Sequence, residues 1–142
     1  MTNETASTVP FRILDHGGYA AAAGDDPRPS GPKVLVAGSA EEASRLWSSM
    51  IGPQPMPNVD FSRESVVFLL LGVRSSGGFD IVPQTVSGRG EGVTVTAETR
   101  SPSRGEIVTQ AFSAPYAVIA VSRAGVRSAA WVTAGEVVAT SK

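Results

Sequence analysis

The sequence predicts a mainly β fold, a β-sandwich or partly open barrel of about eight short strands with one flanking α-helix. Three observations carry that prediction. Short apolar or alternating segments recur, with Gly- and Pro-rich turn signals at intervals of about 8–12 residues. A single segment, 39–51, has helical periodicity behind a capping signal. Strands and helices do not alternate along the chain, which argues against a doubly wound α/β sheet.

Taken in order, residues 9–14 alternate weakly and read as a first strand, with Pro10 placing its start at a sheet edge. His16, Gly17, Gly18 and Tyr19 read as a turn, residues 20–23 as a brief continuation, and 24–32, with three prolines, as a loop. Val34, Leu35 and Val36 mark a short strand over 33–37. Ser39 with Glu42 three residues later is a capping box. Ala40, Ala43, Leu46, Trp47 and Met50 then form one apolar stripe on a helix that ends near Gly52, and Pro53, Pro55 and Pro57 forbid continuation. At this spacing Trp47 is expected in the core.

Residues 66–71, Val-Val-Phe-Leu-Leu-Leu, do not alternate, as expected of a strand covered on both faces, and Gly72 ends it. Segments 79–86 and 93–99 alternate and are joined by the glycine-rich 88–92, a hairpin loop. Val93, Val95 and Ala97 are expected inward, Thr94, Thr96 and Glu98 outward. Residues 107–112 read as another strand, Pro115 as a break before a strand over 116–121, and 126–139 as one or two closing strands around Trp131.

A chain of 142 residues is long enough for one domain with a real core. Residues 1–8 are expected to be a disordered leader and 9–142 that single domain. With no cysteine, disulfides and thiolate metal sites are excluded. The 12 Lys and Arg balance 13 Asp and Glu without a basic stripe, which speaks against nucleic-acid binding. The longest apolar stretch, 66–71, is far short of the roughly 20 residues that cross a bilayer, so no membrane span is expected. The polar start lacks the basic and apolar regions of a signal peptide. Such a leader fits both a cytoplasmic chain and one whose export signal has been removed.

Chemistry-bearing motifs are sparse. His16 is the single histidine, so a His-rich zinc site is out of reach and any Ser-His-Asp triad would have to use it as base. No serine lies in a Gly-x-Ser-x-Gly elbow, and an exposed structural histidine is the plainer reading. Residues 88–92 resemble a phosphate loop only superficially, because a strand rather than a helix follows. Asp60, Glu64 and Asp80 have no spacing that would gather them in a pocket. Asp25 and Asp26 lack the alternating ligands of a calcium site. No metal and no cofactor is expected.

Three loops remain. Arg74, Ser76, Gly77, Gly78 and Phe79 follow the buried strand, and adjacent glycines leave the backbone open to close approach by another chain. Pro102 and Gly105 mark a second loop over 101–105, and Pro115 with Tyr116 a third over 113–116. The plainer alternative is that all three are ordinary turns, with Phe79 and Tyr116 in the core.

These residues also resemble a family, the PrcB-like protease-complex subunits. The match runs through Val59-Asp60-Phe61, the apolar strand ending at Gly72, and Ser76-Gly77-Gly78-Phe79. It continues with Pro102 and Gly105, then Ala114-Pro115-Tyr116 leading into 118–121, with a Trp-bearing helix upstream. It covers most of 11–122. Phe79 stands where tyrosine is usual and Ser75 where proline is common, and the tail from Val126 lies outside it. The resemblance implies a non-catalytic, exported partner that binds and stabilises a protease, with the export signal absent from this chain. The loop layout is also similar to chagasin-type peptidase inhibitors, which present three loops from an immunoglobulin-like sandwich. The residues expected to meet a protein partner are Arg74, Ser76, Gly77, Gly78, Phe79, Pro102, Gly105, Pro115 and Tyr116. A hydrolase built on His16 is the least favoured reading.

Overall fold

A strand with no polar alternation needs cover on both of its faces, and the fold provides it. The computed structural model describes residues 7–20, 31–52, 55–74, 78–103, 105 and 113–141. Among these are nine strands and one helix: β1 (Ser7–Thr8), β2 (Phe11–Ala20), β3 (Lys33–Ala37), α1 (Ala40–Met50), β4 (Ser65–Leu70), β5 (Asp80–Arg89), β6 (Gly92–Arg100), β7 (Ser113–Val121), β8 (Ser128–Thr133) and β9 (Glu136–Thr140). They form a five-stranded sheet in the order β1-β5-β6-β8-β9 and a four-stranded sheet in the order β2-β7-β4-β3. The result is a sandwich with a helix on one side. The mainly β prediction holds, and the two sheets do not close into a barrel.

Every residue of β4 and β7 is buried. Between the sheets Val67, Leu69, Ala117, Ile119 and Val121 meet Ile81, Val86, Val95 and Trp131. On the outer face of the four-stranded sheet Val66, Phe68, Leu70 and Val118 meet Ala43, Trp47 and Ile51 of the helical segment. Alternate residues of one apolar run therefore serve two cores. Trp47 is core, as its spacing predicts, with 3% of its surface exposed.

The helix starts as the sequence indicates. Ser39 Oγ accepts from the Glu42 N–H at 3.2 Å. The return bond differs from the standard box: Glu42 Oε1 accepts from the Gly38 N–H, at 3.1 Å, rather than from that of Ser39. At the other end the Ile51 and Gly52 N–H groups both donate to the Trp47 carbonyl.

The hairpin between β5 and β6 is tighter than its glycines suggest. Arg89 pairs with Gly92, leaving Gly90 and Glu91 as a two-residue turn. Gly90 has φ 60, the first-position demand of a type II′ turn. In β6, Val93, Val95 and Ala97 are buried and Glu98 is exposed, as the alternation requires. β8 then pairs with β6 in parallel and with β9 as an antiparallel partner.

Several local expectations are corrected. His16, Gly17, Gly18 and Tyr19 are not a turn: β2 runs through them, opposite residues 114–117 of β7. Pro115 does not break a strand, because β7 begins at Ser113 and Pro115 pairs with Gly18. Ser7 and Thr8, placed by the sequence in a disordered leader, pair with Gly88 and Ser87 as β1. The chain then changes sheets at Val9 and Pro10: the Val9 N–H donates to Val86 in one sheet, and the Pro10 carbonyl accepts from Ser122 beside the other, each at 2.8 Å. The remainder of the expected leader, most of the loop over 24–32 and the strand expected over 107–112 lie outside the described residues.

Candidate functional site

Antiparallel register decides which connections share an end of the sandwich. Asp80 pairs with Arg100, so the start of β5 lies beside the end of β6. Leu70 pairs with Tyr116, so the end of β4 lies beside the start of β7. The connections β4–β5 and β6–β7 therefore leave the same end of the molecule. They carry Arg74, Gly78, Phe79, Pro102 and Gly105. Ser76 and Gly77 lie outside the described residues.

Arg74 is the best-anchored residue of this group. Its backbone forms a two-way bridge with Ser113, Arg74 N–H to the Ser113 carbonyl at 2.7 Å and Ser113 N–H to the Arg74 carbonyl at 2.8 Å. Its Nη2 donates to the Leu71 carbonyl at 3.2 Å. Its guanidinium carbon stands 5.9 Å from the centroid of the Phe79 ring, within cation–π range. Phe79 is half-buried and leans on the core between the sheets. It still presents part of its ring to solvent, between an apolar support and a cation. Pro102 is half-buried, while Gly78 and Gly105 are exposed.

Pro115 and Tyr116 do not form the expected third loop, and Tyr116 takes the core position that was its plainer alternative. Both are buried in β7, and Tyr116 has 2% of its surface exposed. The Tyr116 hydroxyl donates to Asp15 Oδ2 at 2.9 Å, which holds the end of the ring against β2. Pairing with β2 on one side and β4 on the other withdraws this segment from the surface. The third expected loop is a strand.

His16 lies on β2, half a strand from this end. Its Nδ1 is 3.4 Å from Asp80 Oδ1, a contact from one sheet to the other. Asp80 Oδ1 also accepts the Ile81 N–H at 2.9 Å. The arrangement gives the ring an orienting carboxylate. No three His, Asp or Glu residues among those described gather in a way that would hold a metal ion.

Asp60 and Glu64, for which the sequence offered no meeting point, come together in the turn before β4. The Asp60 N–H donates to Glu64 Oε1 at 3.1 Å, and Arg12 grips both carboxylate oxygens of Glu64, at 3.0 and 3.1 Å. The hydrogen bonds from Arg12 hold the Glu64 carboxyl below its ordinary range. Hydrogen bonds from Ser62 do the same for Asp60. This cluster lies at the opposite end of β4 from the loops and ties the edge strand β2 to the turn. A depressed glutamate contributes stability above its unfolded value and loses that contribution as pH falls through the lower, folded one. Glu64→Gln should therefore cost under about 1 kcal/mol near neutrality, the Arg12 side of the pair being half open to solvent. Urea unfolding should show that difference shrinking as pH falls below the unfolded glutamate value of about 4.3 and through the lower folded one.

A groove of about 520 Å³, lined by Arg89, Thr94, Ser128 and Thr140 among others, opens at the end opposite the loops. It places none of the singled-out residues on its wall. Among the described residues no helix is long and apolar enough to cross a membrane.

No curated protein and no solved structure matches this chain. Residues 65–122, from the buried serine that opens β4, across both loops of the shared end, to the residue after β7, match the family model described as PrcB C-terminal; the match takes in the motifs from β4 to β7, whereas Val59-Asp60-Phe61 and the Trp-bearing helix lie outside it.

Proposed function

We propose that this chain is a non-catalytic protein-binding module, an accessory subunit whose partner is a protease, docking on the end formed by Arg74, Gly78, Phe79, Pro102 and Gly105. The observation that supports the reading most is the convergence of the β4–β5 and β6–β7 connections at one end, inside the span that matches the family model. A rigid sandwich with two loops side by side is a common platform for recognition. A half-buried aromatic supported from below is the kind of residue that anchors an interface. Ser76 and Gly77 belong to the same proposal on sequence grounds. Export, implied by the resemblance, is part of it as well.

The chagasin-like alternative needs three projecting loops. Since the third is a buried strand, the accessory-subunit reading has the better geometric support. Affinity capture with this chain as bait, followed by mass spectrometry, tests it. A protease should be recovered, and Phe79→Ala or Gly78→Arg should weaken its capture by about tenfold or more while the variants stay folded. Recovery of the same partner at undiminished level with both variants would remove the proposed end from the account.

A further inference from the structure

Proline in a central strand leaves a ladder bond unmade, because it has no N–H to donate. β7 is central, flanked by β2 and β4. The register Leu70–Tyr116 places Leu71 opposite Pro115, and the Leu71 N–H donates to the Pro115 carbonyl at 3.1 Å. A hydrogen-bonded antiparallel pair exchanges two such bonds. The second would run from residue 115 to the Leu71 carbonyl, and Pro115 cannot supply it. That same carbonyl accepts Arg74 Nη2 at 3.2 Å. A side chain thus provides the donor the backbone lacks.

We infer that Arg74 is a positioning residue for the loop end, replacing the ladder donor missing at Pro115 and thereby setting the place of Phe79. The chain leaves β4 at Leu71 and is clamped again three residues later by the two-way bridge between Arg74 and Ser113. A guanidinium is flat and carries several donors in fixed directions, so one N–H can reach a carbonyl while the group faces a ring. Arg74 does both, since Phe79 lies under its charged end. Breaking the bond to Leu71 frees the guanidinium, and with it the charged side of the aromatic's seat. Pro115 is then part of the device: it leaves vacant the carbonyl that fixes Arg74.

The functional meaning of this device rests on the proposed recognition role, whereas the device itself is tested on the free protein. The stability of the wild type, Arg74→Met, Pro115→Ala and the double variant closes a double-mutant cycle, in which the effect of proline on the unfolded chain cancels. Alanine at 115 restores a backbone N–H for Leu71. Arg74→Met should lower the folding equilibrium constant about fivefold in the wild type and less than about twofold beside Pro115→Ala. Backbone order at residues 78 and 79, read by heteronuclear NMR relaxation, should fall in Arg74→Met alone. Equal losses in both backgrounds, or unchanged order at 78 and 79, would overturn the inference. If Arg74→Met does not fold, Arg74→Gln takes its place with the same two outcomes. A cycle that couples while partner capture ignores Arg74→Met supports the device and contradicts the recognition reading. A capture that falls without coupling does the reverse.

Discussion

Trp131→Ala should destabilise the protein by about 3–5 kcal/mol, the usual range for removing a large aromatic from a packed interior. Trp131 has no exposed surface and sits in β8, opposite Val95 of β6 and Ala139 of β9. Its indole N–H donates to the Ala97 carbonyl at 3.0 Å, one position past the end of the β6–β8 pairing. The residue therefore fills the core and extends a short parallel ladder. Typical domains hold only about 5–15 kcal/mol in all, so roughly a fifth or more of the stability is at stake. Trp131→Phe should cost much less, because the Thr133 hydroxyl also donates to Ala97 and keeps that carbonyl satisfied. Urea unfolding followed by circular dichroism measures both variants. Equal, small losses would mean that β8 is held by something other than this side chain.

Gly72→Ala should cost about 2–4 kcal/mol, from backbone strain and from a collision. Gly72 has φ 99, a region alanine seldom adopts. A Cβ there would stand 2.8–2.9 Å from the backbone of Gly31, which has no flexible side chain to move aside. The glycine lets the exit of β4 pass directly against the approach to β3. Relief should come from neither partner alone, since both are backbone. A thermal midpoint within about 2 °C of the wild type would show that the two segments part at little cost.

The elements legible in the sequence are those whose signals are local. α1 has its cap at Ser39 and a stripe of apolar residues, and both lie within fifteen positions of one another. The unbroken run of β4 announced a strand between two layers, which the fold supplies through α1 and the opposite sheet. What was misread depends on distant partners. His16 to Tyr19 look like a turn because two glycines are adjacent, yet pairing with β7, a hundred residues away, extends them. Pro115 looks like a strand break because its lost N–H is visible in sequence and the compensating Arg74 is not. Of the expected site, Arg74, Gly78, Phe79, Pro102 and Gly105 sit on connections that leave one end together, because consecutive antiparallel strands return there. Tyr116 was named as a partner contact on an expected loop, with the core as its plainer alternative, and the core is where it lies. Its alternation with Ala117 sends it to the helix-side core, and Asp15 on the neighbouring strand receives its hydroxyl. Arg12 and Glu64 were invisible as a pair, 52 positions apart in sequence.

The most direct test of recognition at the loop end is where a partner touches the chain. A photo-crosslinking amino acid placed at position 102, between β6 and β7, should join the captured protein efficiently. The same group at position 94, on the outer face of the five-stranded sheet, should join it weakly. Strong joining from 94 with none from 102 would mean that the partner uses the sheet face and that the loops are only turns.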